Sequence, residues 1–420
     1  MMAPTKYFAC VILAGFFYAQ SFSSKVLATE EYPYAVSLKD IQARVEAYKN
    51  KIGDKAGVPD TEDTYIKVPA KAQLIKVSAL DSAFKIIPAL IKHEEKNWQP
   101  GVKPANFKYP LRLPASALDA EVYALKYNFG DRSLNQTSAN HIANFFIWTQ
   151  KEAGTGVYPF PFSESGSGAA FSAVAHFISE AKKQNKLSEV IHNGWLCNDL
   201  TDGGLQFDNA EVGKAMFDLY EVTHDAEILA SAVKASDWAL THAIVTNWNY
   251  NAFSVGLLAK AYAITGNPAY LNEAKRKAIL GVIPGQLKQG TNTGRWVDQH
   301  NAKPAYHYIM LQALTELVEV MPKDDPARTQ IIECIRLGLI NRNHDFLTRG
   351  APTKEKALTA LLAVKRVFAH DPQFLKDTET SEALYNLELI ISSQYSWRNL
   401  PVSPREWVIF LSDIKENNKT

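Results

Sequence analysis

Two observations predict an all-α protein built as a ring of helical hairpins, an α/α toroid. The first is a repeat. Asn209–Leu219, a turn and Ala226–Thr241 superpose on Asn251–Ala261, a turn and Ala269–Leu280 at a spacing of 42 residues. Asn209/Asn251, Ala210/Ala252, Tyr220/Tyr262, Thr223/Thr265, Leu229/Leu271 and Ala232/Ala274 coincide. The second is the near absence of the alternating pattern that strands require. Hairpins of this period cannot bury their apolar faces alone and must stack on neighbours.

The elements follow in order. Gly266-Asn267-Pro268 ends one helix and opens its partner, as a C-terminal glycine and an early proline do. A third unit runs from Asn301-Ala302 through Val320, turns at Pro322–Pro326 and continues to Asn341. Fainter copies span 117–150, 165–192 and 353–368, the last with a turn at His370-Asp371-Pro372, and 384–393 supplies another helix. That makes about six hairpins. Ala252–Ala261 is apolar or small on nearly every side, as an inner helix must be, whereas Ala226–Ser236 carries charges at intervals and suits an outer layer. An open solenoid is the alternative, but the long terminal caps it needs are not evident.

The 420 residues divide into a signal peptide (1–28), a partly helical lead-in packed on the main domain (29–110), the toroid (111–412) and a polar tail (413–420). Lys6 followed by the apolar run Tyr7–Tyr18 and the small residues near Ala28 reads as an export signal. Cleavage after Ala28 is expected, with Ala19 the alternative. A secreted or periplasmic protein with no stable membrane anchor after cleavage follows. Cys197 and Cys334 are then left, either as one disulfide or as two buried thiols. Asn135-Gln136-Thr137 and Asn418-Lys419-Thr420 are glycosylation sequons. With 45 basic and 44 acidic residues, a net charge of +1 argues against nucleic acid as a partner.

First-to-second helix turns are short, while four second-to-first connections are long: Tyr158–Gly168, Asn193–Asn209, Asn247–Asn251 and Gly294–Asn301. Each leads into an inner helix, so all four are expected at one mouth. Their content suits a glycan. Trp195, Trp248, Tyr250 and Trp296 offer flat faces for sugar C–H surfaces, or plug the barrel end. Gln206, Asn209, Asn251, Arg295, Asp298 and Asn301 offer directional hydrogen bonds. Asn209, Asn251 and Asn301 also fit helix N-caps.

Glycosidic hydrolysis needs two carboxyls with pKa values pushed apart. Asp208 and Glu211, in a first helical turn, suit a base or a stabiliser of positive charge. Asp199 and Asp202, among Trp195, Leu196, Cys197 and Leu205, suit the acid; each of the four has loop structure or helix-end electrostatics as its bland alternative. Asp202→Asn and Asp208→Asn are each expected to lower turnover by orders of magnitude without moving the thermal midpoint. A different chemistry attaches to His300, Tyr306 and His307 with Arg295, Asn301 and Tyr308. There a cation or amide neutralises a uronate, His or Tyr takes the C5 proton and a Tyr protonates the departing oxygen: elimination by a polysaccharide lyase, or C5 epimerisation. No phosphate loop, dinucleotide fingerprint or His-Glu-x-x-His is present, so no cofactor and no metal are expected.

Asp202–Asn209, Asn247–Asn251 and Gly294–Asn301 with Tyr306-His307, set in this hairpin period, resemble the six-hairpin glycosidase superfamily over about residues 115–395. The resemblance implies an α/α toroid with substrate at the mouth and covers hydrolases, polysaccharide lyases and sugar epimerases. It assigns no catalytic residue by position. Hydrolysis leads, with elimination or epimerisation and a non-catalytic glycan-binding or scaffold protein as alternatives.

Overall fold

The computed structural model describes residues 37–61, 65–66, 98–104, 110–162, 169–200, 203–352 and 357–376, together with Arg405, Val408 and Ser412. The signal peptide, Asp202, the 384–393 helix and the second sequon lie outside these residues. Leu38–Thr420 form one compact unit.

The helices are α1 (Leu38–Ile52), α2 (Arg112–Tyr127), α3 (Arg132–Ala153), α4 (Ala169–Lys183), the single turn α5 (Leu187–Val190), α6 (Leu205–Thr223), α7 (Ala226–Thr241), α8 (Trp248–Thr265), α9 (Pro268–Gly281), α10 (Pro304–Val320), α11 (Arg328–Arg349) and α12 (Ala357–Phe368). Strands are two residues long. Tyr65–Ile66 pairs antiparallel with Ala351–Pro352, and Trp195–Leu196 is flanked by Phe160–Pro161 and Ile191–His192.

The architecture is an α/α toroid. Inner helices α2, α6, α8, α10 and α12 pack each on the next, and α3, α7, α9 and α11 back them. Across the ring, Arg405 reaches Asp119 of α2 and Glu211 of α6, and the Arg366 charge of α12 acts on Tyr123 of α2. The repeat is visible in the caps. His224 and Gly266 end α6 and α8 in the left-handed conformation, and Asp225 and Asn267 cap α7 and α9 through their side chains. Helix α8 is buried on most sides because α6, α9 and α10 surround it.

The 165–192 copy is corrected. Helix α4 is followed by one turn, not a second helix, and it packs on the Phe160–Pro161 strand and α5, while α2 meets α6 directly. This segment is an excursion from the ring. Cys197 and Cys334 are free, buried thiols. Asn135 is buried with its amide donating to the Phe129 carbonyl at 2.7 Å, so the first sequon is a structural element. Among the described residues no helix is long and apolar enough to cross a membrane.

Candidate active site

The described parts of the long connections touch one another in turn. Phe162 N donates to Gly194 O, joining the first to the second. A Cβ on Gly203 would stand 2.7 Å from Val245, two residues before the third connection begins. Asn301 accepts from Asn249 N and Nδ2 and donates to Asn247 Oδ1, joining the third to the fourth. The lead-in lies against the same rim. Gly57 N donates to Val297 O, Asp60 N to Gln299 O, Asp60 pairs with Lys303 at 2.7 Å, and Arg44 sits over the Trp248 ring.

Most of the rim residues expected to touch substrate are used by the fold. Trp195 and Trp296 have no exposed surface: Trp195 packs edge-on against Trp148, and Trp296 donates to Val282 O and meets His307 edge-on. Trp248 is buried over Gly285, and only Tyr250 of the four aromatics is half-exposed. They are plugs.

The asparagines are not N-caps. Asn209 and Asn251 sit inside the first turns of α6 and α8 and stitch three elements together. Asn209 accepts from Tyr158 N and donates to Ala235 O; Asn251 accepts from Val245 N and donates to Val245 O and Gly281 O. In α10 the matching position, fourth in the helix, is His307, packed on Gly338 as Asn251 is on Gly281. Asn301 lies before α10, whose N-cap is Lys303. Gln206 is buried and accepts from Ser254.

The carboxylates separate. Asp208 has no exposed surface and accepts from Arg112 N (2.9 Å), Nε (3.3 Å) and Nη2 (2.7 Å). Asp199 caps α6 by accepting from Leu205 N at 3.1 Å and faces His242 at 3.6 Å. Neither faces open space. Arg295 is held by Asn341, Gly57 O and Asp345. His307 is fully buried, and burial drives its pKa well below the usual histidine value, with Arg342 and Arg295 adding to it. The rim cluster is therefore smaller than expected. His300 stacks on Tyr306 at 4.3 Å, its pKa lowered by burial and then by Lys303, and Asp298 binds Asn301.

A different set of groups faces the lumen. Helices α6 and α8 turn matching repeat positions inward: Glu211/Phe253, Lys214/Gly256 and Asp218/Lys260. Phe207 and Phe253 stack at 4.0 Å with the Arg112 guanidinium 3.6 Å above Phe207. Lys260 pairs with Asp218 at 2.6 Å and Glu221 at 2.8 Å. Lys214 crosses to Glu316 of α10 at 2.7 Å, over Gly256.

At mid-height, Arg405 Nη1 donates to Glu211 Oε2 at 2.6 Å and to Asp119 Oδ2 at 3.2 Å. Sharing one nitrogen keeps the two carboxyl groups close. Asp119 Oδ1 is buried with no hydrogen-bond partner. Burial pushes the Asp119 carboxyl up to about 7; Arg405 opposes this, and the charges of Asp218 and Glu211 add to it. Glu211 was a sequence candidate; Asp119 and Arg405 were not. One signal was available: Glu211, Lys214, Asp218 and Lys260 are polar at inward repeat positions of helices otherwise built to be buried.

No family model and no curated protein matches the chain. Solved structures similar to it include a glycosyl hydrolase of family 88 from Bacteroides vulgatus (11% identity, TM-score 0.45, 81% of this chain and 99% of that one). A polysaccharide lyase gives 13% identity and a TM-score of 0.43 over 80% of this chain and 99% of that one. An inactive α-1,6-mannanase variant of a Salegentibacter species, in complex with α-1,6-mannotetrose, gives 15% and 0.29 over 61% and 86%. Superpositions this loose transfer neither residues nor reactions, and the site stands on its own geometry.

Proposed function

We propose that the protein is a carbohydrate-active enzyme, a glycoside hydrolase in which Asp119 is the general acid and Glu211 the partner carboxylate. The carrying observation is the Asp119 carboxyl, raised by burial to about 7, beside Glu211 on one arginine nitrogen inside the ring. Two carboxyls whose environments push them apart supply what glycosidic cleavage needs. Asp119 gives its proton to the departing oxygen, and Glu211 attacks the anomeric carbon; water then releases the sugar with Asp119 as base. The nearest oxygens of the two carboxyls share one arginine nitrogen, at 3.2 and 2.6 Å. Arg405 holds the pair in place. Export, read from residues 1–28, belongs to the same proposal.

The test is incubation with a panel of neutral and uronic polysaccharides. New reducing ends without ultraviolet absorbance, lost in Asp119→Asn and Glu211→Gln at unchanged melting midpoint, support hydrolysis. Full activity in both variants removes the pair from the chemistry. A second reading rests on the rim. His300, held toward the neutral form beside Tyr306 and Lys303, suits proton abstraction from a uronate whose carboxylate Lys303 neutralises. Unsaturated products that vanish in His300→Gln favour elimination instead. Saturable binding with neither product identifies a binding protein.

A further inference from the structure

We propose that Arg405 is the positioning residue that divides the roles of the two carboxyls: binding Glu211 more closely than Asp119, it keeps Glu211 as the carboxylate and leaves the proton on Asp119. The catalytic duties of the pair rest on the hydrolase reading. The division of the proton rests on three placements of its own.

The first is asymmetry. One guanidinium nitrogen, Arg405 Nη1, donates to Glu211 Oε2 at 2.6 Å and to Asp119 Oδ2 at 3.2 Å. A charge-assisted hydrogen bond weakens as it lengthens, so a shared donor supports the nearer negative charge more. Glu211 takes the larger part of the arginine's charge.

The second is the other oxygen of Asp119. Oδ1 is buried with no hydrogen-bond partner, so a negative charge on it goes unsupported. The charges facing this carboxyl are Arg405 of the C-terminal segment and Glu211 and Asp218 of α6. Lys260 of α8 is paired with Asp218 and Glu221, and Arg366 of α12 with Glu319 of α10. Tyr123, one turn further along α2, brings no positive charge. Burial, with two like charges set against one shared cation, favours the neutral form and raises the carboxyl to about 7.

The third is the support of Arg405 itself. It comes from neither α2 nor α6 but from the C-terminal segment, where Arg405, Val408 and Ser412 are helical and spaced to share one face. Val408 has no exposed surface, and the buried Ser412 donates its hydroxyl to the Val408 carbonyl at 2.7 Å. The guanidinium is therefore delivered from a packed turn, which fixes the order of its two distances.

The experiment uses the full chain with carbon-13 in the aspartate carboxyls and follows Asp119, identified by the resonance lost in Asp119→Asn, by NMR from about pH 4 to about pH 10. In Arg405→Gln its titration midpoint is expected to rise by about one pH unit or more, because an opposite charge at hydrogen-bond distance is gone. On any polysaccharide that is cleaved, kcat is expected to fall at least about tenfold with KM within about threefold. Arg405→Lys keeps the charge and is expected to recover about half or more of both changes. Glu211→Gln removes the like charge and the competing acceptor, so there the Asp119 midpoint is expected to fall below the wild-type value. This variant decides the matter if Arg405→Gln does not fold. An unmoved midpoint in either variant overturns the proposal. So does an equal loss in Arg405→Gln and Arg405→Lys, the pattern of a residue that only anchors the C-terminal segment. Absence of cleavage across the polysaccharide panel overturns the hydrolase reading, while the titration, which uses no substrate, still decides where the proton sits.

Discussion

Asp208→Asn separates the structural account from the expectation raised by the sequence. Asp208 has no exposed surface, and its two oxygens take three donors from one residue: Arg112 N at 2.9 Å, Nε at 3.3 Å and Nη2 at 2.7 Å. An amide keeps the shape but loses the charge and turns an N–H₂ toward a donor. Breaking a buried pair costs about 3–5 kcal/mol. The Arg112 side chain keeps 28% of its exposure, so solvent takes up part of the stranded charge and the loss falls at the low end, about 3 kcal/mol. For a chain of this length that lowers the melting midpoint by about 3 °C. The assay is a thermal melt followed by circular dichroism, paired with initial rates well below the midpoint. The expected outcome is a lower midpoint with kcat/KM within about threefold of wild type, since a threefold change is under 1 kcal/mol of transition-state binding. A midpoint within 1 °C of wild type, with turnover lost by orders of magnitude, would falsify the structural role.

Activity should fall as pH rises through about 7, where Asp119 loses its proton, and Asp218→Asn, by removing one like charge, should move that limb lower; a pH–rate profile of both proteins checks it. Burial lowers Lys277 from 10.5 to about 8, so between those values the unfolded chain holds more protons and stability rises with pH. Lys277→Met should flatten that rise in midpoints recorded from pH 7 to 10.5. Burial lowers His242 from 6.5 to about 3, which makes the fold lose stability as pH falls from 6.5 toward 3, and His242→Gln should reduce that slope in acid melts. Gly294→Ala should destabilise by more than about 3 kcal/mol in urea, because φ is +89° and the new Cβ would clash with the Leu337 carbonyl oxygen; a loss of less than about 1 kcal/mol contradicts that packing.

Sequence by itself determined the helical class, the 42-residue hairpin unit, the capping at Gly266-Asn267-Pro268 and the contact of the long connections with one another. These are local matters: periodicity, turn chemistry and loop length are written within a few residues of where they act. It also offered Glu211 as one of four carboxylates, the one that the proposed mechanism uses. What it misjudged at Trp195, Trp296, Asn209, Asn251 and Asp208 shares one cause. An aromatic, an amide or a carboxylate near a helix start looks the same whether it faces solvent or a neighbouring element. Only packing decides, as where Asn251 meets Gly281 and Asp208 meets Arg112 from 96 residues away. The Asp119–Glu211–Arg405 cluster was out of reach for the same reason. Its members come from three distant segments, and the raised pKa of Asp119 is a property of the closed ring that buries it.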